Sequence, residues 1–567
     1  MLAYRTPGVY FEWLDTRAPA LVPLRTDIAG FVGISASGPV HTPVKVESMT
    51  QFTSVFGGHT PQGYLAYAVE GFFANGGQTC WVVRVADPAV AAPATFDLRD
   101  ETGAPTLRLT ASRRVVSSDG ERRTIMSPGT SGKELTFLLS LVTRDRFTLI
   151  LRLGNAREIW RDLSLRPDDE RNVERLINDG RSGSRLVMAE NLFSPAGFPQ
   201  NTPDPRSETL RNGAGRLAGG RDGLSSLVPG HFSGDGAPPD KPWGLATLEK
   251  VDEVSVVAMP DIMPKPRIEP QRKERPPDCR VLDQEPEPPA APESPLEFPP
   301  AFNDVQISFL QSALITHCEL LKDRVAVLDP RLDDLTPAQV LAWRTQFSSK
   351  YAALYFPWLL VPDPLQLSGR LRAVPPSGHV AGIYARSDRR VGVHKPPANE
   401  ELEGVKDVRV GLDDLAHGDL NERAVNVIRA YSGRGVRVAG ARTLSSDSEW
   451  RFVNVRRLLI MIEEAIDEQT QWTVFEPNNP DLWREIDRVA RTFLNGLWRR
   501  GMLDGATSDE AYFVRCDETT NPPEQTDVGK LICEIGVQPP WPAEFVVVRI
   551  GKTEGSTELI EAGGTSG

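Results

Sequence analysis

The sequence predicts a multidomain α/β protein with a β-rich insertion and an α+β C-terminal domain. Three observations carry this prediction. Short apolar strands alternate with helical patterns on both sides of residues 93–220, the order that builds a largely parallel sheet covered by helices. Residues 93–220 hold short alternating strands divided by polar loops such as SSDGERR. From Glu449 to about Lys552, two helical patterns precede three strand patterns. The 567 residues leave room for several domains with ample core.

Residues 1–20 set Pro7, Gly8 and Pro19 among Tyr4, Val9, Tyr10, Phe11 and Trp13 without a helical period. So many aromatic side chains are poor composition for disorder, and the stretch reads as an extended arm that pairs with something. Ile28–Ser35 is a short apolar strand, Ser48–Phe56 and Tyr64–Ala74 are helical, and Cys80–Ala86 is a β-branched strand. In the insertion, Thr106–Leu109, Arg114–Val116, Leu135–Leu141 and Phe147–Leu153 read as strands and Glu170–Asn178 as a brief helix. The Gly-rich Asn212–Gly223 reads as a linker back to the body. Val254–Met259 and Val325–Leu328 are continuous apolar strands of the buried parallel kind, and Ala353–Val361 is expected to be a third. Residues 260–300 are dominated by Pro, Glu and Arg and cannot bury a core, so a surface loop is expected. Val305–Leu321, a helix begun by Thr336-Pro337, and Gly378–Arg386 continue the α/β order. Residues 396–424 read as an acidic loop, and Val425–Arg429 and Val436–Ala439 as strands.

The C-terminal block is the most legible. Trp450 to about Ile466 is nearly apolar through Leu458–Ile462, which predicts a largely buried helix. Asn479 reads as an N-cap and Pro480 as the first helical residue. Leu482, Trp483, Ile486, Val489, Phe493, Leu494, Leu497 and Trp498 then recur at helical spacing, and Gly501 follows Arg499 and Arg500 as a stop. Tyr512–Arg515, Leu531–Gln538 and Phe545–Ile550 are expected to form a small sheet, with Pro539 and Pro542 permitting a hinge.

Charge and motif content exclude several classes. A net charge of −12 argues against non-specific nucleic-acid coating. Cys80, Cys279, Cys318, Cys516 and Cys533 are odd in number and contain no CxxC pair, so neither a disulfide framework nor a zinc site is suggested. The N-terminus lacks the features of a signal peptide, which points to synthesis in the cytoplasm, and no apolar run is long enough for a membrane span. There is no G-x-S-x-G and no H-E-x-x-H. SPGTSGKE puts Ser127 where a phosphate loop needs its first Gly and Glu134 where it needs Ser or Thr. The Gly-rich runs at Gly213 and Gly433 miss the dinucleotide spacing. None of the seven histidines lies within four residues of another. His379 and Asp261 could be imagined in a triad, but no nucleophile can be placed beside them. No catalytic, cofactor or metal residues are therefore assigned.

Several ordered motifs resemble those of tail sheath proteins from contractile phage tails and related contractile injection systems. Tyr4-Arg5-Thr6-Pro7-Gly8-Val9-Tyr10 is similar to the family's opening arm. The run through Phe31-Val32-Gly33, Phe56-Gly57-Gly58, Asn75-Gly76-Gly77 and Val82–Val85 resembles its next segment. Toward the C-terminus, Asn454-Val455-Arg456-Arg457, Phe475-Glu476-Pro477-Asn478, Leu482-Trp483, Leu497-Trp498, Tyr512-Phe513-Val514 and Cys516-Asp517 follow the family pattern.

The resemblance implies a structural, non-enzymatic subunit with a subtilisin-like body that lacks a triad. It would stack in rings, commonly six-fold, around an inner tube, with baseplate and terminal cap proteins as further partners and no nucleic acid, cofactor or membrane insertion. It would work in a phage tail or a tail-like particle. The layout expected is a linking arm at 1–20, body segments at 21–92 and 221–442, the insertion at 93–220, an assembly domain at 443–542 and a second arm at 543–567. Tyr4, Pro7, Gly8, Val9 and Tyr10 would link subunits at one end, and Phe545, Val546, Val547, Val548 and Ile550 at the other. Tyr512, Phe513, Val514, Leu531, Ile532 and Ile535 would receive arms, above a core of Trp483, Phe493, Leu497 and Trp498. Elementary physics agrees: a sheet this small is marginal alone, and its open edge offers unpaired groups to another chain. The competing expectations are a hydrolase-like enzyme and a glycan- or surface-binding protein acting through the insertion.

Overall fold

A computed structural model of the chain describes residues 21–117, 119–192, 202–263, 297–366, 369–542, 544, 548–553 and 556–561. The chain divides into two compact units, one spanning Arg25–Arg457 and one combining the residues before Arg25 with those from Leu458 onward.

The first unit begins with β1 (Ala29–Gly33), β2 (Val44–Val46), α1 (Met49–Phe56), α2 (Leu65–Ala74) and β3 (Cys80–Arg84). The insertion follows, with β4 (Thr95–Arg99), β5 (Pro105–Val116), β6 (Arg122–Met126), β7 (Thr136–Thr143), β8 (Arg146–Leu153), β9 (Ala156–Leu163), α3 (Val173–Ile177), β10 (Val187–Asn191) and β11 (Ala214–Arg216). The body resumes with α4 (Pro229–Ser233), β12 (Val256–Ala258), α5 (Asp304–Leu321), β13 (Val325–Leu328), α6 (Pro337–Arg344), β14 (Ala352–Phe356), β15 (Leu359–Pro362), β16 (Leu371–Val374) and α7 (Ser377–Arg390). It ends with β17 (Glu400–Glu401), β18 (Asp407–Val408), α8 (Asp414–Glu422), β19 (Val425–Tyr431), β20 (Gly435–Val438) and the start of α9 (Val453–Gln469).

One nine-stranded sheet organises this unit, in the order β17-β20-β19-β14-β13-β12-β1-β3-β2. From β19 to β3 every pairing is parallel, and antiparallel strands flank that run on both sides. The parallel strands are mostly β-branched or apolar, and β1, β3, β12, β13 and β14 are buried along their whole length, as strands covered on both faces must be. Helices α2 and α7 cross where backbone meets backbone. A Cβ on Gly378 would collide with the main chain of Ala68, and one on Gly382 with that of Phe72. Only glycine permits this approach.

The insertion builds its own core from two four-stranded antiparallel sheets. Its two ends are bridged at Ala92↔Arg221 and Thr95↔Ala218. The fully buried Arg84, at the end of β3, ties the insertion to the body: it donates to Gly38 O at 2.8 Å and Pro128 O at 2.6 Å and lies 3.7 Å from Asp222.

Several sequence expectations are corrected. Ala353–Val361 is two strands rather than one: Pro357 offers no N–H to the ladder, and β15 leaves for a separate sheet with β16 and β18. Thr106–Leu109 and Arg114–Val116 are one strand, β5, whose first half pairs with β4 and β10 and whose second half pairs with β6. Asn212–Gly223 is more than a linker, because β11 adds to β7. The stretch 396–424 holds β17, β18 and α8; the helix buries only Leu420, so it shows no apolar period, and its start is capped by Asp413 on Ala416 N at 2.8 Å. The buried helix expected from Trp450 begins three residues later, at Val453. Most of the Pro-rich 260–300 stretch lies outside the described residues.

The second unit holds the rest of α9, α10 (Pro480–Arg499), α11 (Ser508–Ala511), β21 (Tyr512–Arg515), α12 (Pro523–Thr526), β22 (Glu534–Val537), β23 (Val548–Thr553) and β24 (Ser556–Glu561). The expected three-stranded sheet is instead a two-stranded pair, β21-β22. The last predicted strand turns back on itself as the separate hairpin β23-β24.

Candidate assembly interface

The α10 helix is the foundation of the terminal unit. Asn479 accepts the N–H groups of Asp481 and Leu482, both at 3.0 Å, and Pro480 occupies the first turn without losing a needed donor. Trp483, Ile486, Val489, Ala490, Phe493, Leu494 and Leu497 are buried along one stripe. The opposite face carries the pairs Arg484–Asp481, Arg488–Glu485 and Arg491–Asp487. Gly501, at φ 71°, ends the helix in a conformation that costs any other residue a steric penalty. The indole N–H of Trp483 reaches Asn478 Oδ1 at 2.7 Å. Trp498 is only half-buried, and its indole N–H donates to Gly505 O at 2.9 Å.

The β21-β22 pair lies against this helix. Strand alternation sends Tyr512 and Val514 inward and Phe513 and Arg515 outward. Arg491 donates to the Val514 carbonyl, and Asn495 Nδ2 to the Tyr512 hydroxyl at 3.2 Å. Phe513 is 51% exposed and covers Gly536, its partner across the ladder, leaving no room for a Cβ there. Leu531 and Ile535 are half-buried and Ile532 is exposed. Among the described residues, no further strand pairs with either edge of this sheet. Tyr512, Phe513, Val514, Leu531, Ile532 and Ile535 are thus all on or beside one two-stranded sheet.

The chain's other end is fastened in the same unit by a contact the sequence does not announce. Val22 N donates to Gln469 Oε1, and Gln469 Nε2 returns a bond to Val22 O, each at 2.7 Å. A Gln at the end of a helix has no local signature of such a reciprocal clamp. Tyr4, Pro7, Gly8, Val9, Tyr10, Phe545, Val546 and Val547 lie outside the described residues. Val548 and Ile550 are in β23, paired with Glu561 and Leu559.

Among the described residues, the carboxylates at the centre of the body are engaged by backbone and hydroxyl donors. Asp261 accepts the backbone N–H groups of Ile34 (2.7 Å), Tyr64 (2.6 Å) and Leu65 (3.2 Å), fastening the start of α2 to β1. Asp329 accepts Ser377 N at 2.8 Å and Ser377 Oγ at 2.7 Å, fastening the start of α7. The Ser377 hydroxyl is fully buried and donates directly to the carboxylate, with no imidazole between them. Burial pushes Asp329 up to about 7 and His379 down to about 4. Among the described residues, no cluster of His, Cys, Asp and Glu could hold a metal, and no helix is long and apolar enough to cross a membrane.

Two families match in tandem: the phage tail sheath protein central domain over residues 300–444, and the phage tail sheath C-terminal domain over residues 445–552. Together the two matches cover residues 300–552, a little under half of the chain, so that stretch resembles phage tail sheath domains. Among curated relatives, a major tail sheath protein of a Pseudomonas aeruginosa prophage is 27% identical over 252 residues, 43% of this chain and 62% of that protein. The tail sheath protein of Enterobacteria phage T4 is 24% identical over 200 residues, 35% of this chain and 29% of its own. The chain thus spans less than two thirds of the length of these sheath relatives. The fold extends the likeness further. The contracted helical sheath of the anti-feeding prophage superposes with a TM-score of 0.54 at 20% identity, over 97% of this chain and all of that one. A sheath tail protein from Listeria innocua does so with a TM-score of 0.53 at 12% identity, over 88% and 90%. These relatives are all sheath proteins.

Proposed function

We propose that this protein is the repeating structural subunit of a contractile sheath in a phage tail or tail-like particle. The tandem sheath-family match over residues 300–552 carries this reading, and the sheath-like fold of nearly the whole chain supports it. The subunit polymerises as stacked rings, six-fold in this reading, around an inner tube and attaches to a baseplate. Contraction drives the tube through a target envelope. The parallel body serves as a subtilisin-like scaffold without a triad, and the insertion stands on the outside of the polymer.

The terminal unit is the linking device. Tyr4, Pro7, Gly8, Val9 and Tyr10 of one subunit, and the segment containing Phe545–Ile550 of another, reach the β21-β22 sheet of a neighbour. A two-stranded sheet is marginal by itself, and strand addition satisfies its edge groups while alternate side chains set the register. A head-to-tail contact of this kind, where its rotation does not close, yields an open helical polymer. Energy for contraction resides in the lattice, so no nucleotide site is needed.

Electron microscopy of the expressed chain tests this. The full chain forms tubular or ring polymers, while deletion of residues 1–12, or of the residues after Ala543, leaves soluble monomer. Sheaths of normal length from either deletion would sink the linking role of that arm.

A further inference from the structure

The terminal unit contains a pair of thiols that assembly does not explain. The β21-β22 ladder pairs Tyr512 with Val537, Phe513 with Gly536, Val514 with Ile535 and Arg515 with Glu534. The same register, carried one step past the ladder, would set Cys516 opposite Cys533, and the two thiols are within hydrogen-bond reach of each other. Opposed residues of an antiparallel pair have Cα atoms roughly 4.5–5.5 Å apart. A disulfide needs roughly 4.4–6.8 Å. We propose that Cys516 and Cys533 are a redox-modification site, an oxidisable dithiol that closes into a cross-strand disulfide when the protein meets a small-molecule disulfide.

Three further observations support the assignment. First, the two sulfurs are held together. Cys516 is buried with Trp483 and Ile486, and Cys533 packs on that cluster beside Leu531. Asn521, only 2% exposed, grips the residue next to Cys533, donating to Ile532 O at 2.9 Å and accepting from Ile532 N at 2.6 Å; its amide lies 4.0 Å from Cys516 Sγ. Second, the pair is chemically biased. A hydrogen bond between the two thiols lowers the first loss of a proton, at Cys516, and raises the second, at Cys533. Third, the pair is reachable. Cys533 lines a cavity of about 250 Å³ shared with Leu21, Trp472, Ile486 and Leu531. By contrast, Cys80 and Cys318 are fully buried, and burial alone is the main cause raising each thiol.

The exchange balances with an external disulfide such as oxidised glutathione. Once the pair has lost its first proton, from Cys516, the shared proton moves from Cys533 to Cys516 as the reachable Cys533 sulfur attacks one glutathione sulfur and releases the other as thiolate, leaving a mixed disulfide. Cys516 then gives up that proton, and its sulfur attacks the Cys533 sulfur and displaces the second glutathione. Two protein protons pass to the two glutathiones, the protein is oxidised by two electrons and the glutathione disulfide is reduced by two. The product bolts β21 to β22 and closes the loop between them, so the sheet keeps its register.

The full chain, incubated under native conditions with oxidised glutathione and then alkylated, tests this. Peptide mapping is expected to join the Cys516 and Cys533 peptides, with the protein lighter by two hydrogens and Cys80 and Cys318 still alkylatable after denaturation. The oxidised chain should unfold on the order of 5–10 °C higher in its terminal-unit transition, a shift that reducing agent reverses. The Cys533→Ser variant should show no such shift. Persistent free thiols at both positions, stable glutathione adducts without the cross-link, or a cross-link formed only after denaturation would each overturn the proposal. The mapping uses the unaltered chain, so it decides the question even where Cys533→Ser fails to fold. It requires no polymer, so its result is separate from that of the sheath reading.

Discussion

In the unit from Arg25 to Arg457, parallel strands are buried on both faces and flanked on both sides by antiparallel ones. In the terminal unit, β21 and β22 pair only with each other among the described residues, and Phe513 stands half in solvent. The first arrangement encloses its central strands between neighbours and closes its own core. The second leaves strand-edge backbone groups and a half-exposed aromatic ring with no further strand beside them among the described residues. Under the proposed sheath function, this division would let folding stability and linkage rest on different residues.

The comparison can be broken most severely at the edge of the first unit. Arg457 and Asp388 are 2% and 4% exposed and joined at 2.6 Å and 3.0 Å; Arg457 also donates to Thr26 O and lies over the Tyr384 ring. Arg457→Ala strands a buried carboxylate and should cost about 3–5 kcal/mol in denaturant unfolding. Loss of less than 1 kcal/mol would mean that the pair is solvated. Next in size, Gly378→Leu drives α7 away from Ala68 and should cost about 3 kcal/mol by overpacking, read as a fall in the first unit's unfolding midpoint.

A pH series sharpens the contrast within that unit. Asp329, held up at about 7, favours folding fully only below its unfolded value of about 3.9, so its contribution fades as pH rises from about 4 to 7. His379, held down at about 4, acts oppositely: the fold loses stability as pH falls from about 6.5 through 4. Asp329→Asn keeps an acceptor for Ser377 N and removes the ionisation. Its stability relative to the parent should rise from pH 4 to 7 and stay level above. A difference independent of pH would show that the carboxylate is not paying a burial cost.

The parts of this fold that are legible in sequence are those set by local rules. Asn479-Pro480, the stripe from Leu482 to Trp498 and Gly501 mark α10 because caps, amphipathic spacing and left-handed stops act within a few residues. The buried strands β12 and β13 are legible because both faces require apolar side chains. What escaped depends on partners distant in sequence. The turn of Ala353–Val361 into two sheets follows from which strands β14 and β15 meet, and α8 exposes nearly all of its surface. The Val22–Gln469 clamp spans 447 residues. The facing of Cys516 and Cys533 appears only once the strand register is known. A smaller effect belongs to a locally legible residue: Asn479→Ala removes the acceptor for two N–H groups and should cost about 1 kcal/mol in the terminal unit.

The smallest effect on folding should accompany the largest effect on linkage. Phe513 points away from α10, lies over Gly536 across the ladder and has the Arg515 guanidinium 6.0 Å from its ring centre. Phe513→Ser leaves Tyr512 and Val514 on the helix side and the β21-β22 register untouched. It should therefore change stability by about 0.5 kcal/mol or less, as exposed substitutions do. If this face receives an arm from a neighbour, the same substitution removes the surface on which the arm's side chains settle. Sedimentation should then find well-folded monomer under conditions where the parent chain forms polymer. Polymer of normal yield would place the linking contact elsewhere on the terminal unit. A folding loss comparable to that of Arg457→Ala would mean that this sheet serves its own subunit first, erasing the distinction between the two units.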